Sequence, residues 1–278
     1  MTTTATSMPA TPPRPRFRDL AAAEWIKLTS LRSTWIAYGA TALAVVGFNA
    51  GTAYDTYSHW AEQGAEGRAG FVQDGIPLLD AFTANAAMVM LLALGVLGAL
   101  VMVGEYASGT VRTTFAAVPD RRAVMAAKAV VVALAATVFG GLVAAVSFVV
   151  TQAILDGRGV GVPIDHPGAL RVVVASALLA PVGALTGLAL GTLVRQTAAT
   201  TAACVAVLLV LPLVATDGRY WSAVVAHALP FEAWNRLVTV APAPTDFPWT
   251  TGGAWTVYGV WALAAAALAV VGTHRRDQ

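Results

Sequence analysis

Six long runs of apolar residues constrain the fold of this 278-residue chain more than any other feature. None of them contains Asp, Glu, Lys or Arg, and they cover approximately residues 34–53, 81–104, 129–155, 172–194, 197–216 and 252–273. A helix needs roughly 20 such residues to cross the hydrocarbon core of a bilayer. The sequence therefore predicts an all-α integral membrane protein with six transmembrane helices.

The composition agrees with this class. The chain is 57% hydrophobic and 12% charged, whereas charged residues make up about 25% of an ordinary soluble domain. Its net charge of +2 is too small to indicate a nucleic-acid partner. The single cysteine, Cys204, excludes a disulfide within the chain.

The basic residues predict the orientation of the spans. The loops on one side hold five of the 17 basic residues, Arg68, Arg158, Arg171, Arg219 and Arg236, and the other 12 fall on the side of the N-terminus. Lys and Arg concentrate on the cytosolic side of membrane proteins. We therefore predict that both termini are cytosolic.

The segment before the first span predicts a helix that lies in the membrane interface. Residues 1–16 are rich in Thr and Pro and predict a disordered cytosolic tail, whereas residues 17–33 place apolar residues on one helical face, typical of an amphipathic elbow. Glu24 falls in the middle of that face. It either pairs locally with Lys27, three residues later, or contacts another cytosolic element. Residues 34–278 form the predicted transmembrane domain.

Three prolines predict interruptions. Pro181 and Pro212 lie within the fourth and fifth spans, where each should kink its helix or leave a local break. The loop 217–250 is apolar but too short to span, which predicts a re-entrant or interfacial hairpin broken at Pro230.

The sequence lacks the groups that would supply energy or catalysis. It has no phosphate-binding loop of the form G-x-x-x-x-G-K-[ST], no HExxH and no paired cysteines. The predicted spans hold no ionisable residue for proton or sodium coupling. We expect no enzyme activity and no bound cofactor or metal, so any uphill transport would draw its energy from another polypeptide.

Gly183, Gly187 and Gly191 recur every four residues on the fourth span. Such a ridge of small residues lets two membrane helices approach closely. The ridge predicts packing within the chain or contact with a second copy.

Three stretches together resemble a known family. They are "AEWIKLTSLRSTW" at 23–35, "GEYASGTVRTTFAAVPDRRAVMAAK" at 104–128 and "ALPFEAWNRL" at 228–237. With their positions around the spans, they are similar to the permease subunit of bacterial type-2 ATP-binding-cassette transporters, above all the Ala- and Val-rich actinobacterial members. The resemblance covers residues from about 17 to 273.

The resemblance implies two permease copies, as a homodimer or heterodimer in the bacterial plasma membrane, and separate soluble ATPase subunits that hold ATP and Mg. It implies that the loop after the second span docks on the ATPase and that the N-terminal segment forms an elbow. Carried over by position, the docking loop includes Glu105, Tyr106, Gly109, Thr110 and Arg112, and the elbow includes Glu24, Trp25, Lys27 and Leu28.

The charged insert at 104–128 is then explained by a soluble partner. Glu105, Gly109 and Arg112 lie at spacings i, i+4 and i+7, which predicts one shared helical face, and Pro119 could open the next helix. The alternative is a solvated loop whose Arg121 and Arg122 only set the topology. For the whole chain, the leading hypothesis is export of a hydrophobic or amphipathic drug, lipid or peptide. The alternative is a non-transporting membrane scaffold or immunity protein.

Overall fold

A computed structural model describes residues 15–215, 218–240 and 246–272, so the predicted tail lies outside it except for residues 15 and 16. The described residues form helices and no strand. In chain order the helices are α1 (Phe17–Ser30), α2 (Arg32–Ser58), α3 (Ala65–Gln73), α4 (Ile76–Ala81), α5 (Ala84–Ser108), α6 (Thr110–Ala117), α7 (Arg121–Asp156), α8 (Ala169–Val194), α9 (Thr197–Val205), α10 (Leu211–Val214), α11 (Tyr220–His227), α12 (Pro230–Val238) and α13 (Thr251–Gly272).

Six helical segments are long and apolar enough to cross a membrane, as predicted. They are Arg32–Ser58, Ile76–Ser108, Arg121–Asp156, Ala169–Val194, Thr197–Val214 and Thr251–Gly272. The chain is a multi-pass membrane protein. Because successive spans run in opposite directions, α1, α6 and the α8–α9 turn lie at one end of the bundle, here named the α6 end. The opposite end, which carries α3, α4, α11 and α12, is named the α12 end.

The second and third spans are longer than the apolar runs that predicted them. The α5 helix continues to Ser108, and α7 begins at Arg121 instead of residue 129. These additional turns carry Glu105 and Lys128 at the α6 end. The long helices thus bring charged side chains to the edge of the apolar bundle.

Helix α8 is the centre of the bundle, because 78% of its most apolar stretch is buried, against 56% or less in the other spans. Its glycine ridge faces α5. A Cβ atom at Gly183 would lie 2.6 Å from the carbonyl oxygen of Leu91, and one at Gly191 would lie 2.8 Å from that of Ala99. At Gly187 a Cβ would overlap the carbonyl oxygen of Gly95. The ridge is therefore used for packing within the chain.

The two intramembrane prolines behave differently. The fifth span contains a π-helical turn at Ala206–Val210, which ends two residues before Pro212. A wider turn accommodates the proline ring and the missing N–H. Helix α8, in contrast, is continuous through Pro181, so no break occurs there. Pro181 has no N–H group, so the carbonyl oxygen of Ala177 accepts no hydrogen bond from it. That carbonyl group faces Gly140 of α7.

The connection between the second and third spans differs from the prediction in two respects. Gly109 adopts a left-handed conformation, with φ of 74°, that ends α5 and starts α6 in a new direction. Glu105 and Arg112 consequently lie on different helices and do not share a face. Asp120, not Pro119, precedes the first residue of α7, and its side chain accepts a hydrogen bond from the Ala123 N–H at 3.0 Å.

Two short helices, α11 and α12, form the region of the predicted hairpin, and the chain breaks between them at Pro230, as predicted. Pro230 is the first residue of α12, where a missing N–H is harmless. The buried Trp234 donates from Nε1 to Ser176 Oγ on α8 at 3.0 Å, and α12 packs against α8 and α13. The α12 end is thereby fixed to the central helix.

Candidate functional site

A cluster of four charged side chains joins α1, α5 and α7 at the α6 end. Lys27 donates from Nζ to Glu24 Oε1 at 2.7 Å and to Glu105 Oε1 at 3.1 Å. Lys128 donates from Nζ to Glu105 Oε1 at 2.8 Å and to Glu24 Oε2. Positive and negative charges alternate around the cluster, so it is electrically balanced. We call Glu24, Lys27, Glu105 and Lys128 the charge cluster.

Local packing positions these groups. The inner face of α1 carries Leu20, which is buried against Val124 and Ala127 of α7. One turn after Leu20, Glu24 faces the same surface and is 5% exposed. Lys128 lies one turn beyond Val124 and is 1% exposed. The apolar contact therefore sets the register in which the two charges meet.

Glu24 makes both of the contacts that the sequence left open, a local pair with Lys27 and a contact with another element. The carboxylate accepts from Lys27 within α1 and also from Lys128, 104 residues later. A buried charge is tolerated when it is paired and hydrogen-bonded. Two ammonium donors thus compensate for the burial of the Glu24 carboxylate in an apolar environment.

Sequence reasoning missed Lys128, which it assigned only to topology. One signal could have found it, because Lys27 and Lys128 are the two lysines of the chain and the other 15 of its 17 basic residues are arginines. An ammonium group is a compact charge with three donors, whereas a guanidinium is a wide planar fork. A small site between two carboxylates favours the ammonium.

The cluster raises the pKa of its most accessible member, Lys27. Partial burial disfavours charged Lys27, but the hydrogen bond to Glu24 and the negative charges of Glu105 and Glu24 outweigh this effect. The pKa of Lys27 is therefore raised above its usual value of 10.5. The ammonium group stays charged at every physiological pH.

The other residues predicted for a docking loop lie apart from the cluster. The ring of Tyr106 lies 4.9 Å from the guanidinium carbon of Arg195, and Thr110 Oγ1 is 2.8 Å from Ser108 Oγ at the start of α6. Gly109 forms the left-handed turn between α5 and α6. Arg112 is exposed on α6, and its side chain makes no hydrogen bond or ion pair with the described residues.

Helix α6 carries a basic surface. A cavity of about 490 Å³ lies beside it, and its lining includes Arg112 together with Arg121 and Arg195 from the adjoining helix ends. Arg121 lies over the ring of Phe115, with 5.3 Å between the guanidinium carbon and the ring centroid. This surface attracts acidic groups.

The elbow residues divide between the two faces of α1. Glu24 and Lys27 belong to the charge cluster, and Leu28 is half-buried. Trp25 and Ile26 are exposed, as are Phe17 and, beyond the end of α1, Leu31 and Trp35. The apolar face proposed from the sequence is therefore only partly buried against the bundle.

No protein-family model matches the chain, and neither does any curated protein. Within the described residues, no group of three or more His, Cys, Asp or Glu side chains is placed to hold a metal ion.

Proposed function

We propose that this protein is the permease subunit of an ATP-driven ABC transporter that exports a hydrophobic or amphipathic compound. The proposed complex contains two permease copies and separate ATPase subunits that bind ATP and Mg. The observation that carries the proposal is the short helix α6, which lies outside the spans and follows directly after α5, whose last turn carries Glu105 of the charge cluster.

The position of Glu105 supports a mechanical link. It lies in the last turn of α5, four residues before Gly109 and the turn into α6. Its carboxylate accepts from Lys27 of α1 and Lys128 of α7. A displacement of α6 by a bound ATPase would therefore act on α1, α5 and α7 together.

The packing of α5 extends this route. The backbone of α5 contacts the glycine ridge of α8 so closely that neither helix can move independently without opening a gap. Motion that begins at α6 would then reach the central helix.

The exposed Arg112 provides the test. Its reversal in Arg112→Glu should leave folding intact, because the side chain makes no polar contact within the described chain. It should weaken binding of an acidic ATPase surface by at least tenfold. Disrupting a buried interfacial charge pair costs about 2–5 kcal/mol, and a tenfold loss of affinity corresponds to about 1.4 kcal/mol. The measurement is co-purification with a soluble ABC ATPase, sought first among the neighbouring reading frames, together with substrate-stimulated ATP hydrolysis.

Arg122→Glu is the matched control. Arg122 is exposed at the start of α7 and does not line the basic cavity. It should retain most of the binding. Full ATPase binding and stimulation by Arg112→Glu would refute α6 as the coupling element. Absence of any ATPase from the wild-type complex would favour the scaffold or immunity-protein alternative.

The orientation is part of the proposal and has its own test. We place the α6 end in the cytosol of a bacterium, because 12 of the 17 basic residues belong to that side. Maleimide labelling from outside intact cells should reach Glu62→Cys but not Ser108→Cys. The native Cys204 is buried and should contribute little background. The reverse labelling pattern would invert the topology.

We also propose that the α11–α12 turn enters the membrane as a re-entrant hairpin. Trp261 donates from Nε1 to the Ala228 carbonyl oxygen in this turn at 2.7 Å. Trp261 lies ten residues after the start of α13, which corresponds to about 15 Å along the helix. The bond supports a turn that lies well below the end of the sixth span.

A further inference from the structure

A second cavity, of about 590 Å³, lies between α1, α2, α5 and α7 and is lined in part by the charge cluster. Its volume is within the range of about 300–1,000 Å³ typical of small-molecule sites. Along α5 it extends from Ser108 to Leu97. Eleven residues correspond to about 16 Å of helix, and this length is close to half of a hydrocarbon core of about 30 Å. The cavity thus has the depth of one leaflet.

The lining changes from polar to apolar along this depth. At the α6 end it contains the charge cluster and the hydroxyl groups of Ser33, Thr34 and Thr110. Deeper in the bundle it consists mainly of apolar residues, namely Leu97, Leu100, Val101 and Val132. A molecule that fills this space needs a polar head at the bundle end and an apolar chain directed to the membrane centre.

The charges at the rim select the head group. Lys27 and Glu105 are the more accessible members of the cluster, with side chains 34% and 15% exposed, and their Nζ and Oε1 atoms are 3.1 Å apart. A head group that carries both charges can place its phosphate at Lys27 and its ammonium group at Glu105. A head group with a single charge would bring that charge beside a group of like sign.

We propose that this cavity binds a phospholipid with a primary ammonium group, from the leaflet at the α6 end. The hydroxyl groups of Ser33 and Thr34 lie at the rim, where they can donate to phosphate or ester oxygens. The amine N–H groups distinguish this class from choline lipids, which cannot donate a hydrogen bond to Glu105. The inference is independent of the proposed transport function, because the isolated chain forms the whole site.

Gly104 allows the cavity to be filled without repacking the bundle. It lines the cavity, and a Cβ atom at this position would meet no atom within 4 Å. Gly104→Leu therefore places a side chain in the space proposed for the lipid. Gly141→Leu is the matched control, because Gly141 also lies within a span, also has no atom within 4 Å of a Cβ, and does not line the cavity.

The experiment measures lipid retention by native mass spectrometry. The full chain is delipidated in detergent and then supplied with palmitoyl-oleoyl phosphatidylethanolamine, phosphatidylcholine or phosphatidylglycerol. We expect one tightly retained phosphatidylethanolamine per chain, with about tenfold weaker retention of the other two lipids. Gly104→Leu should lower ethanolamine-lipid retention about tenfold, and Gly141→Leu should leave it unchanged.

Two outcomes would overturn the assignment. Equal or stronger retention of phosphatidylglycerol or phosphatidylcholine by the wild-type chain would exclude recognition of an ammonium head group, and this comparison needs no variant. Unchanged ethanolamine-lipid retention by a folded Gly104→Leu protein would place the lipid elsewhere. Neither measurement involves the ATPase, so a failure here is separate from a failure of the transport proposal.

Discussion

The buried ammonium group of Lys128 on α7 donates to the carboxylate of Glu24 on α1, 104 residues earlier in the chain. Both side chains are nearly excluded from solvent, at 1% and 5% exposure. Glu105 and Lys27 complete an alternating set of charges around them. Removing one partner of such a pair leaves the other charge buried without compensation.

This relationship predicts a specific pattern of stability. Lys128→Met should destabilise the protein by about 3–5 kcal/mol, because Glu24 loses its buried partner. The double variant Glu24→Gln, Lys128→Met should be less destabilised than the sum of the two single variants, by about 0.5–3 kcal/mol. Denaturant unfolding in mixed micelles measures these differences. Arg122→Met, an exposed change on the same helix, serves as the control, and strict additivity would show that the pair is not coupled.

The lysine side chain itself should be required at position 128 but not at position 27. Lys128→Arg keeps the charge but must fit a wide, planar guanidinium where a compact ammonium group lies between the Glu24 and Glu105 carboxylates, so we expect a loss of about 1–3 kcal/mol. Lys27 is 34% exposed, and Lys27→Arg can extend toward solvent. Thermal unfolding of both variants under one set of conditions checks this difference. Equal stability would mean that the cluster does not discriminate between ammonium and guanidinium groups.

The glycine ridge predicts a second stability effect. Gly187→Ala should destabilise the bundle by about 1–3 kcal/mol, because its methyl group would overlap the Gly95 carbonyl and force α5 and α8 apart. Gly141→Ala meets no neighbouring atom and should be neutral or slightly stabilising, since alanine favours helix over glycine by about 1 kcal/mol. Melting temperatures of the two variants test the prediction. Similar values for both would contradict close packing at Gly187.

The raised pKa of Lys27 predicts a pH dependence at alkaline pH. Because its pKa is higher in the folded than in the unfolded state, its stabilising effect is complete below the ordinary value of 10.5 and is lost as pH rises through the folded value. The stability difference between wild type and Lys27→Gln should therefore be constant from pH 8 to about 10 and shrink above about 10.5.

Lys27→Arg is the control for this titration, because a guanidinium stays charged above pH 12. Its stability difference from Lys27→Gln should persist at about pH 11. A wild-type difference that also persists there would show that Lys27 does not titrate in this range.

The number of spans followed from the sequence because the ability to cross a bilayer is a local property. A run of about 20 apolar residues is sufficient for a membrane-spanning helix, whichever helices pack beside it. The glycine ridge of α8 was visible for the same reason, as a fixed spacing on one helix. Its partner was not visible, because any face with close backbone access could have served, and the structure places α5 against it.

The arrangement of the α6 end depends on tertiary structure. Spacing alone suggested that Glu105 and Arg112 share a helical face. In the structure Glu105 faces inward from α5 to Lys128, and the left-handed turn at Gly109 redirects the chain so that Arg112 lies on the surface of α6. Sequence determined which charged residues lie beside the membrane. Only the packing of α1 on α7 decided which of them are buried together, because ion pairs between residues 23 to 104 positions apart form only when the intervening helices are in place.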